Sequence, residues 1–544
     1  MAVIMRHRAS LTRRRFLGTA AASAAITAAG TIARPYLSRA ADRPRITHGV
    51  QSGDVSVDSG IVWARSDRPA RMLVEISTTD SFKYISHAAF ADALPDTDFT
   101  AKALLEGLPA GEDIFYRVRF HDHASPTLLG EAQTGHFRTA PRLRRSVSFA
   151  WSGDTAGQGW GIDQARGGMR TFATMLESRP DFFIHCGDSI YADCPIEAEQ
   201  RLPDGGVWRN VVTEEKSKVA ETLDEFRGNY KYNLLDRNIR AFNAAVPTFA
   251  QWDDHEVTDD WCPGEPVTSP AYRERNIAKL AARANRAFHE FMPIRRTAAQ
   301  DGRIYRKIHY GPLLDIFMLD MRSYRTGNQP VERAEILGAT QLAWLKRELV
   351  RSQATWKVVA ADLPVGLISY DAIAQGDGPP RGRELEIADL LAFINHTGIR
   401  NTIWITADMH YTAAHFYDPN ASGVPRFPSV LGIRLRPAPC RNLEPRDPRQ
   451  HVRPAGQVSE GLQPRAGREP RAVLRVAVLR PRGDRRRDRD HDGDIEGRRR
   501  SKPVVDPART GKREVVARPL GETQLTSDSH WQLATCNMIV MVVS

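Results

Sequence analysis

Apolar and polar residues alternate in short segments near the start of the chain, between about residues 46 and 140. Gly, Pro and Asp interrupt the alternation about every ten residues, the spacing expected of short antiparallel strands joined by tight turns. The pattern predicts a small β-sandwich over residues 45–140. No side chain here suggests catalysis, so we interpret the region as a packing or positioning domain. The segments read "GIVWARSD", "RMLVEISTT", "DIFYRVRFHD" and "GHFRTAP".

From Val147 onward the pattern changes to apolar strands that alternate with helical stretches. Segments such as "TEEKSKVAETLDEFRGNYKYNLL" and "TQLAWLKRELVRSQ" separate the strands, and this order is typical of an α/β fold. We therefore predict an α/β domain over residues 145–425. Its strand candidates are "SVSFAWSGD", "DFFIHCGD", "TFAQWDDH", "LLDIFMLDMR", "WKVVAADLP" and "NTIWITADMH".

Almost every strand candidate ends in an acid or a histidine. In an open α/β sheet the carboxyl ends of the strands border one crevice, where such folds bind ligands. Several carboxylates held close together repel one another, and they protonate in part unless cations relieve the conflict. Carboxylate, imidazole and phenolate groups suit iron, calcium, manganese or zinc, so a metal site is predicted. The strand-end residues are Asp154, Asp188, Asp253, Asp254, His255, Asp320, Asp362, Asp408 and His410.

Each of these signals is weak on its own. An Asp after a strand also caps a turn, and the "DDH" group also suits the start of a helix. Taken in order along one chain, the acids and histidines favour two-metal hydrolysis of a phosphate ester, in which the metals bind the ester oxygens and generate hydroxide. Asp188 would then bridge the metals, and His255 would contact the substrate or the leaving oxygen.

The formal charge of the chain is +11, and nearly all of this excess lies in one segment. Between Pro428 and His530 there are 22 Arg and 2 Lys against 14 acids, without any Phe, Trp or Tyr. Such a segment cannot build a packed core, so the Arg-rich tail, residues 428–544, is predicted to be disordered as written. A shifted reading frame in a GC-rich gene gives the same residue types and is the favoured explanation.

Binding of an anionic polymer through the tail is a weaker hypothesis. The arginines are interleaved with aspartates, and no aromatic residues accompany them for stacking. Nucleic-acid binding is therefore not expected. The oligomeric state cannot be predicted from these patterns.

The first 40 residues contain the arginine run Arg13 to Arg15, then a Phe-Leu pair and a mildly apolar, Ala-rich stretch. This order indicates a bacterial twin-arginine signal peptide with cleavage near Ala40. The apolar stretch is too short and too weakly hydrophobic to be a stable membrane anchor. We expect export by the twin-arginine machinery, often with a cofactor already loaded, and a periplasmic or secreted mature protein.

The chain has 544 residues, enough for two or three domains and a large core. Its five cysteines lack Cys-x-x-Cys spacing, so neither a zinc site nor a disulfide framework is indicated. Cys186 and Cys194 could pair in an oxidising compartment, but no pairing is predicted.

Several stretches together resemble the alkaline phosphatase D family over about residues 45–420. The resemblance implies a layered, metallophosphoesterase-like β-sandwich flanked by helices and preceded by a small all-β, fibronectin-like domain. It also implies an exported enzyme that hydrolyses phosphate mono- or diesters with iron (Fe³⁺) and calcium, other divalent metals being possible. The stretches include "THGVQSGDVSVDSGIVWAR", "HCGDSIYAD", "LPDGGVWRNVVTEEKSKVAETLDEFRGNYKYNLL", "QWDDHEV", "LDMRSYR", "ATWKVVAADLPVGL" and "RNTIWITADMHYTAAHFYDP".

The same resemblance implies roles for single residues. Tyr191, three residues after Asp188 in the "GDSIY" motif, would bind ferric iron as a phenolate. The group of Asp253, Asp254 and His255 would supply ligands and a phosphate contact. Arg322 has the charge to hold substrate oxygens, and a structural ion pair with a nearby acid is the alternative. The implied metal ligands are Asp154, Asp188, Tyr191, Asp253, Asp254, Asp408 and His410.

The chain departs from that family in three places. Many members have an iron-binding Cys in the first motif, where this chain has Asp154 as an oxygen ligand instead, which hardens the site. Asp259 and Asp260 follow the "DDHEV" motif where asparagine is usual, and they would repel a phosphate dianion. After about residue 425 nothing resembles the family, which leaves a strand edge without its expected partner. The alternative to an active enzyme is therefore an inactive protein with the same fold, or a truncated or frameshifted product.

Overall fold

The structure, a computed structural model, describes residues 42–202, 204–296, 302–327, 334–366, 373 and 380–410. Beyond residue 410 it describes the backbone of six strands. The predicted signal peptide lies outside the described residues. Five of the six strands fall within the predicted tail, whose remaining residues also lie outside the described part, so a disordered or frameshifted tail stays a prediction. No helix in the described part is long and apolar enough to cross a membrane.

Between residues 147 and 406 the chain combines strands with helices, as the apolar pattern predicts. The strands are β1 Ile46–Gly53, β2 Ser59–Ser66, β3 Ala70–Ser77, β4 His87–Ala93, β5 Thr100–Glu106, β6 Asp113–Asp122, β7 Gln133–Arg138, β8 Val147–Ser152, β9 Phe182–Cys186, β10 Glu199–Arg201, β11 Val207–Arg209, β12 Thr248–Gln251, β13 Arg306–His309, β14 Leu314–Met318, β15 Trp356–Ala360, β16 Thr402–Thr406, β17 Ala413–Tyr417, β18 Val430–Arg434, β19 Pro454–Gln457, β20 Leu474–Leu479, β21 Val516–Ala517 and β22 Met538–Val543. The helices are α1 Arg170–Glu177, α2 Leu223–Asn233, α3 Arg237–Ala245, α4 Ile277–Phe291, α5 Gly338–Arg351 and α6 Arg383–His396.

Polar side chains fix where three of these helices begin. At the start of α2, the Thr222 side chain accepts from the backbone of Glu225, and the Glu225 side chain accepts in return from the backbone of Thr222. Asp236 accepts from two backbone N–H groups of α3, and Asn276 accepts from one of α4. These caps satisfy N–H groups that the first helical turn leaves without partners.

Two large sheets form the centre of the fold. One has nine strands in the order β21-β20-β22-β8-β9-β12-β1-β2-β5, and the other has seven in the order β13-β14-β15-β16-β18-β17-β19. Strands β8, β9 and β12 run parallel in the first sheet, and β14, β15 and β16 run parallel in the second. All six therefore have their carboxyl ends available to build a crevice.

Apolar side chains of the two sheets share one buried cluster, which includes Phe149, Phe182, Ile316 and Ile405. A second buried cluster joins the first sheet to helices α1 to α4, and a third joins the second sheet to α5 and α6. The order of layers is thus helix, sheet, sheet, helix. The predicted layered β-sandwich flanked by helices is confirmed.

The N-terminal region is all-β, as predicted, but its strands are divided between two sheets. Strands β3, β4, β6 and β7 form a separate four-stranded sheet, whereas β1, β2 and β5 extend the nine-stranded sheet. The junction is a parallel pair between Gly53 of β1 and Thr248 of β12. A Cβ atom at Gly53 would lie 2.4 Å from the Thr248 carbonyl oxygen, so this close approach requires glycine. The sequence predicts a domain boundary near residue 140, but the nine-stranded sheet contains strands from both sides of it.

Candidate metal centre

Six parallel strands deliver acidic or histidine residues to one crevice. Asp154, Asp188, Asp253, Asp320, Asp362 and Asp408 each lie two residues beyond the end of their strand. The two sheets meet here, because a Cβ atom at Gly153 would lie only 2.6 Å from the Cβ of Ala407. The arrangement explains how residues hundreds of positions apart come into contact.

Four of the predicted ligands have a left-handed backbone. The φ angles are 60° at Asp154, 53° at Asp188, 66° at Asp408 and 53° at His410. This conformation is unfavourable for residues other than glycine and persists only where the surroundings impose it. Strain concentrated at these positions is typical of a functional site.

A phenol, a carboxylate and an imidazole meet at the first cluster of the site, formed by Asp154, Tyr191 and His410. The Tyr191 hydroxyl donates to Asp154 Oδ1 at 3.3 Å and lies 3.1 Å from His410 Nε2. His410 Nε2 lies 3.3 Å from the same Asp154 oxygen. All three side chains are buried. An oxygen-rich donor set with one imidazole suits a hard cation such as ferric iron.

The neighbours of Tyr191 fix its ring. The His255 imidazole stacks on it with 4.1 Å between ring centroids and 22° between the planes. Gly157 packs against the same ring so closely that a Cβ atom there would lie 2.4 Å from Tyr191 Cζ. Gln158 Nε2 lies 3.1 Å from His410 Nδ1 and so holds the imidazole of the first cluster.

A second cluster of carboxylates lies beside the first. Ligand atoms of Asp188, Asp254 and His255 lie within 4.8 Å of one another, and so do those of Asp253, Asp254 and Asp408. Burial and the neighbouring carboxylates raise the pKa of Asp188 well above its usual value. Burial also raises the pKa of Asp253 to about 6. The cluster therefore carries more negative charge than its surroundings can stabilise, which is the condition that cations relieve.

Arg322 is the counter-charge inside this cluster and has no exposed surface. Its Nε donates to Asp253, and its guanidinium lies 3.4 Å from Asp254. It also lies 3.6 Å from both Asp362 and Asp408. Although burial opposes ionisation, Arg322 and His255 hold the pKa of Asp254 at about 2. Arg322 thus forms ion pairs with nearby acids, the alternative role considered from the sequence. Its contact with substrate stays a prediction.

Asp193 is a residue of the site that was not predicted from the sequence. Its two carboxylate oxygens lie 2.8 and 2.9 Å from His255 Nδ1, and one of them accepts from the backbone N–H of Asp259 at 2.7 Å. The Asp259 carboxylate lies 3.6 Å from His255 Nε2. Although burial opposes it, Asp193 and the nearby acids raise the pKa of His255 well above its usual value. The "IYAD" stretch contains Asp193, but no spacing rule links it to a histidine 62 positions later.

Glu256 was also missed, although it joins two of the strand-end loops. Its carboxylate accepts from the backbone N–H groups of Asp188, Ser189 and Asp253 at 3.1, 2.6 and 2.8 Å. It accepts as well from the Ser189 hydroxyl at 2.6 Å. Burial raises the pKa of Glu256 to about 7. Its carboxylate thus sets the separation of the predicted ligands Asp188 and Asp253.

Helix α2 and the segment before it support the Tyr191 loop from outside. Asn233 donates to the Ser189 carbonyl at 2.7 Å. The buried Lys216 donates to the Tyr191 carbonyl at 2.5 Å and to Asn229 at 3.1 Å. The long stretch that ends in "KYNLL" thus positions the loop through its main chain.

Asp320 and the cysteines of the described residues, both noted in the sequence, are not part of the two clusters. Asp320 accepts from Trp252 Nε1 at 3.0 Å and from two backbone N–H groups of its own loop. Cys186, Cys194 and Cys262 are free thiols, so Cys186 and Cys194 are not paired.

Comparisons with known proteins identify the families and folds that this chain resembles. The sequence model of the family "PhoD-like phosphatase" matches residues 149–433, more than half of the chain, and that of "PhoD-like phosphatase, N-terminal domain" matches residues 30–141. Alkaline phosphatase D of Bacillus subtilis (strain 168) is 26% identical over 401 residues, which are 67% of this chain and 64% of that protein. The match thus spans less than two thirds of that relative.

Two solved structures are similar in fold. A structure of PhoD has a TM-score of 0.60 at 22% identity and covers 72% of this chain and 77% of its own. A purple acid phosphatase from yellow lupin seeds has a TM-score of 0.47 at 12% identity, over 72% of this chain and 64% of its own. The first likeness supports the fold, whereas the second is too low to carry an argument.

Proposed function

The chain belongs to the PhoD-like phosphatase family, and from that premise we propose that it is a metal-dependent phosphoesterase acting on phosphate monoesters, diesters or both. The observation that carries the proposal is the meeting of Asp154, Tyr191 and His410 beside a buried group of carboxylates. Five of the six strand-end acids are buried, and Asp154, Asp188 and Asp408 have a left-handed backbone, which structural roles alone do not explain.

The donor atoms fit two kinds of cation. Asp154, Tyr191 and His410 would hold iron (Fe³⁺), because phenol, carboxylate and imidazole groups suit that ion. The carboxylates of Asp188, Asp253, Asp254 and Asp408 offer the all-oxygen surroundings that calcium prefers. Bound cations would neutralise charge on the phosphoryl oxygens and lower the pKa of the attacking water.

The chain's own residues orient the substrate and the proton. Asp193 fixes the ring of His255, so that Nε2 points toward the Asp259 side of the crevice. His255 is then placed to contact the substrate or to donate a proton to the leaving oxygen. Arg322 favours the ionised form of Asp254 and would add positive charge near the phosphoryl oxygens.

The place of action is part of the proposal. The arginine run Arg13 to Arg15 and the Ala-rich stretch after it support export by the twin-arginine machinery. The enzyme would therefore act on phosphate esters in the periplasm or outside the cell.

Elemental analysis together with hydrolysis of 4-nitrophenyl phosphate and bis(4-nitrophenyl) phosphate tests this function. We expect bound metal and hydrolysis of at least one ester. A chelator should remove the metal and abolish the hydrolysis. Asp188→Asn removes a charged ligand and should abolish hydrolysis. Asp181→Asn is the matched control, because Asp181 precedes the same strand at its opposite end and pairs there with Arg145.

The alternative is an inactive protein that keeps the fold. It predicts a metal-free protein without hydrolysis of either ester. Hydrolysis that survives both the chelator and Asp188→Asn would also contradict the proposal, because the reaction would then take place elsewhere.

A further inference from the structure

Two partly exposed tryptophans, Trp160 and Trp208, form a pair outside the cores of the protein. Their ring centroids lie 5.7 Å apart at an interplanar angle of 79°. Neither ring belongs to the three buried apolar clusters of the described residues. Large rings that a fold leaves outside its core offer apolar area to a ligand.

The pair lies close to the first cluster of the metal centre. The backbone N–H of Trp160 donates to the Gly157 carbonyl at 3.1 Å, which closes a turn over these four residues. Gly157 packs on the Tyr191 ring, and Gln158 contacts His410. Since the ends of such a turn lie within about 7 Å, Trp160 is one turn away from the groups that hold the predicted iron ligands.

A single asparagine holds both tryptophan segments in place. Asn210 Oδ1 accepts from Trp208 Nε1 at 2.9 Å and from the Gly161 N–H at 2.8 Å, and its amide donates to the Gly159 carbonyl at 2.9 Å. The Arg166 guanidinium lies 5.9 Å from the Trp208 ring and donates to the Val207 carbonyl at 3.2 Å. The polar edge of Trp208 is thus satisfied within the protein, which leaves its partly exposed apolar ring for other contacts.

We propose that Trp160 and Trp208 form a subsite for the organic group of the phosphate ester, and that the preferred group carries a flat aromatic ring. The inference rests on the proposed phosphoesterase function. With the phosphoryl group at the metal centre, an organic group that extends toward the turn carrying Trp160 would meet the two indoles. An aromatic ring gains stacking or edge contacts with the indoles that a small alkyl alcohol cannot make.

Steady-state kinetics on two monoesters separates this role from a structural one. Phosphate release is measured with 2-naphthyl phosphate and with glycerol 3-phosphate. Trp160→Ala and Trp208→Ala are expected to raise KM for 2-naphthyl phosphate about tenfold, with kcat retained and KM for glycerol 3-phosphate changed less than about twofold. Phenylalanine at either position should restore most of the loss. Trp356→Ala is the control, because Trp356 is a partly buried tryptophan at the start of β15, away from the crevice.

An equal increase in KM for both substrates would overturn the proposal, because it would mean that the tryptophans only support the fold. Unchanged KM values in active variants would overturn it as well and leave the proposed function standing. Calorimetry with phenylphosphonate and methylphosphonate needs no turnover. Preference for phenylphosphonate that Trp208→Ala removes would support the subsite even in a protein that hydrolyses neither ester, whereas equal binding of the two would refute it.

Discussion

The imidazole of His255 lies almost flat on the phenol ring of Tyr191, with 4.1 Å between their centroids. The same imidazole pairs with Asp193 through its Nδ1. One stacked contact therefore connects the Asp154–Tyr191–His410 cluster to the loop that carries the carboxylate cluster. A change that displaces Tyr191 should disturb both proposed metal positions.

Gly157→Ala is expected to do this. The new methyl group would lie 2.4 Å from Tyr191 Cζ, so the ring must move. Because displacement of a reacting group by about 1 Å can lower turnover about 100-fold, we expect kcat to fall on that scale. The check is steady-state hydrolysis together with thermal unfolding. Gly107→Ala is the control, since its Cβ meets no atom within 4 Å and its positive φ costs about 1–2 kcal/mol of stability. Full activity in Gly157→Ala would show that the ring position does not matter.

Glu256→Gln should loosen the two ligand loops. The amide keeps one acceptor oxygen, whereas the carboxylate accepts four hydrogen bonds from Asp188, Ser189 and Asp253. We expect weaker metal retention during dialysis and at least about tenfold lower activity.

Glu386→Gln is the matched control for Glu256→Gln. Glu386 accepts from the backbone N–H groups of Ile336 and Leu337 just before helix α5, and neither of these two residues is a predicted metal ligand. It should lose about 1 kcal/mol of stability without losing metal. Equal metal retention in both variants would contradict the assigned role of Glu256.

Asp259→Asn should lower KM for a phosphate monoester dianion. The Asp259 carboxylate faces His255 Nε2 at 3.6 Å and is 72% exposed, so water and salt screen its repulsion of the substrate. We expect about a twofold to threefold decrease at low ionic strength that shrinks as salt is added, and a change in the same direction for Asp260→Asn. Asp80→Asn, an exposed change in the N-terminal region, is the control. Unchanged KM values in both variants would remove the idea that these acids repel substrate.

Stability at acid pH should depend on His289 of helix α4. Burial lowers its pKa to about 3, and Lys102, Arg296 and Arg306 add to the effect. Between pH 3 and 6.5 the unfolded chain binds the proton and the folded chain does not, so stability falls as the pH drops from 6.5. In this pH range His289 changes the free energy of unfolding by up to about 1.4 kcal/mol per pH unit.

His289→Phe removes this titration. The free energy of unfolding is measured with urea at several pH values between 4.5 and 7. It should depend less steeply on pH in the variant than in the parent chain. His87→Phe, an exposed change on β4, should keep the parent slope. Parallel slopes for the parent and His289→Phe would contradict a buried neutral imidazole.

The strand-end residues could be predicted from the sequence, because parallel strands bring their carboxyl ends to one edge. This rule places Asp154, Asp188 and Asp408 together without any knowledge of contacts. Glu256 and Gly157 could not be found in this way. They act on the ligand loops through backbone N–H groups or by close packing, and these contacts depend on turn geometry that no periodic pattern encodes.

The division of the N-terminal strands was equally hidden. Alternating residues in the N-terminal region indicate strands with one face on the core, but they do not specify which strand lies next to β1. The pairing with β12 depends on the missing side chain of Gly53, which lets Thr248 approach. The sequence therefore predicted the type of the N-terminal elements but not the sheet that they join.

The shared nine-stranded sheet limits how the protein can be shortened. A recombinant fragment that starts near residue 145 would lose β1, β2 and β5 and leave the edge of β12 open to solvent. Open edges of this kind recruit other chains, so such a fragment should precipitate during purification instead of behaving as an independent enzyme.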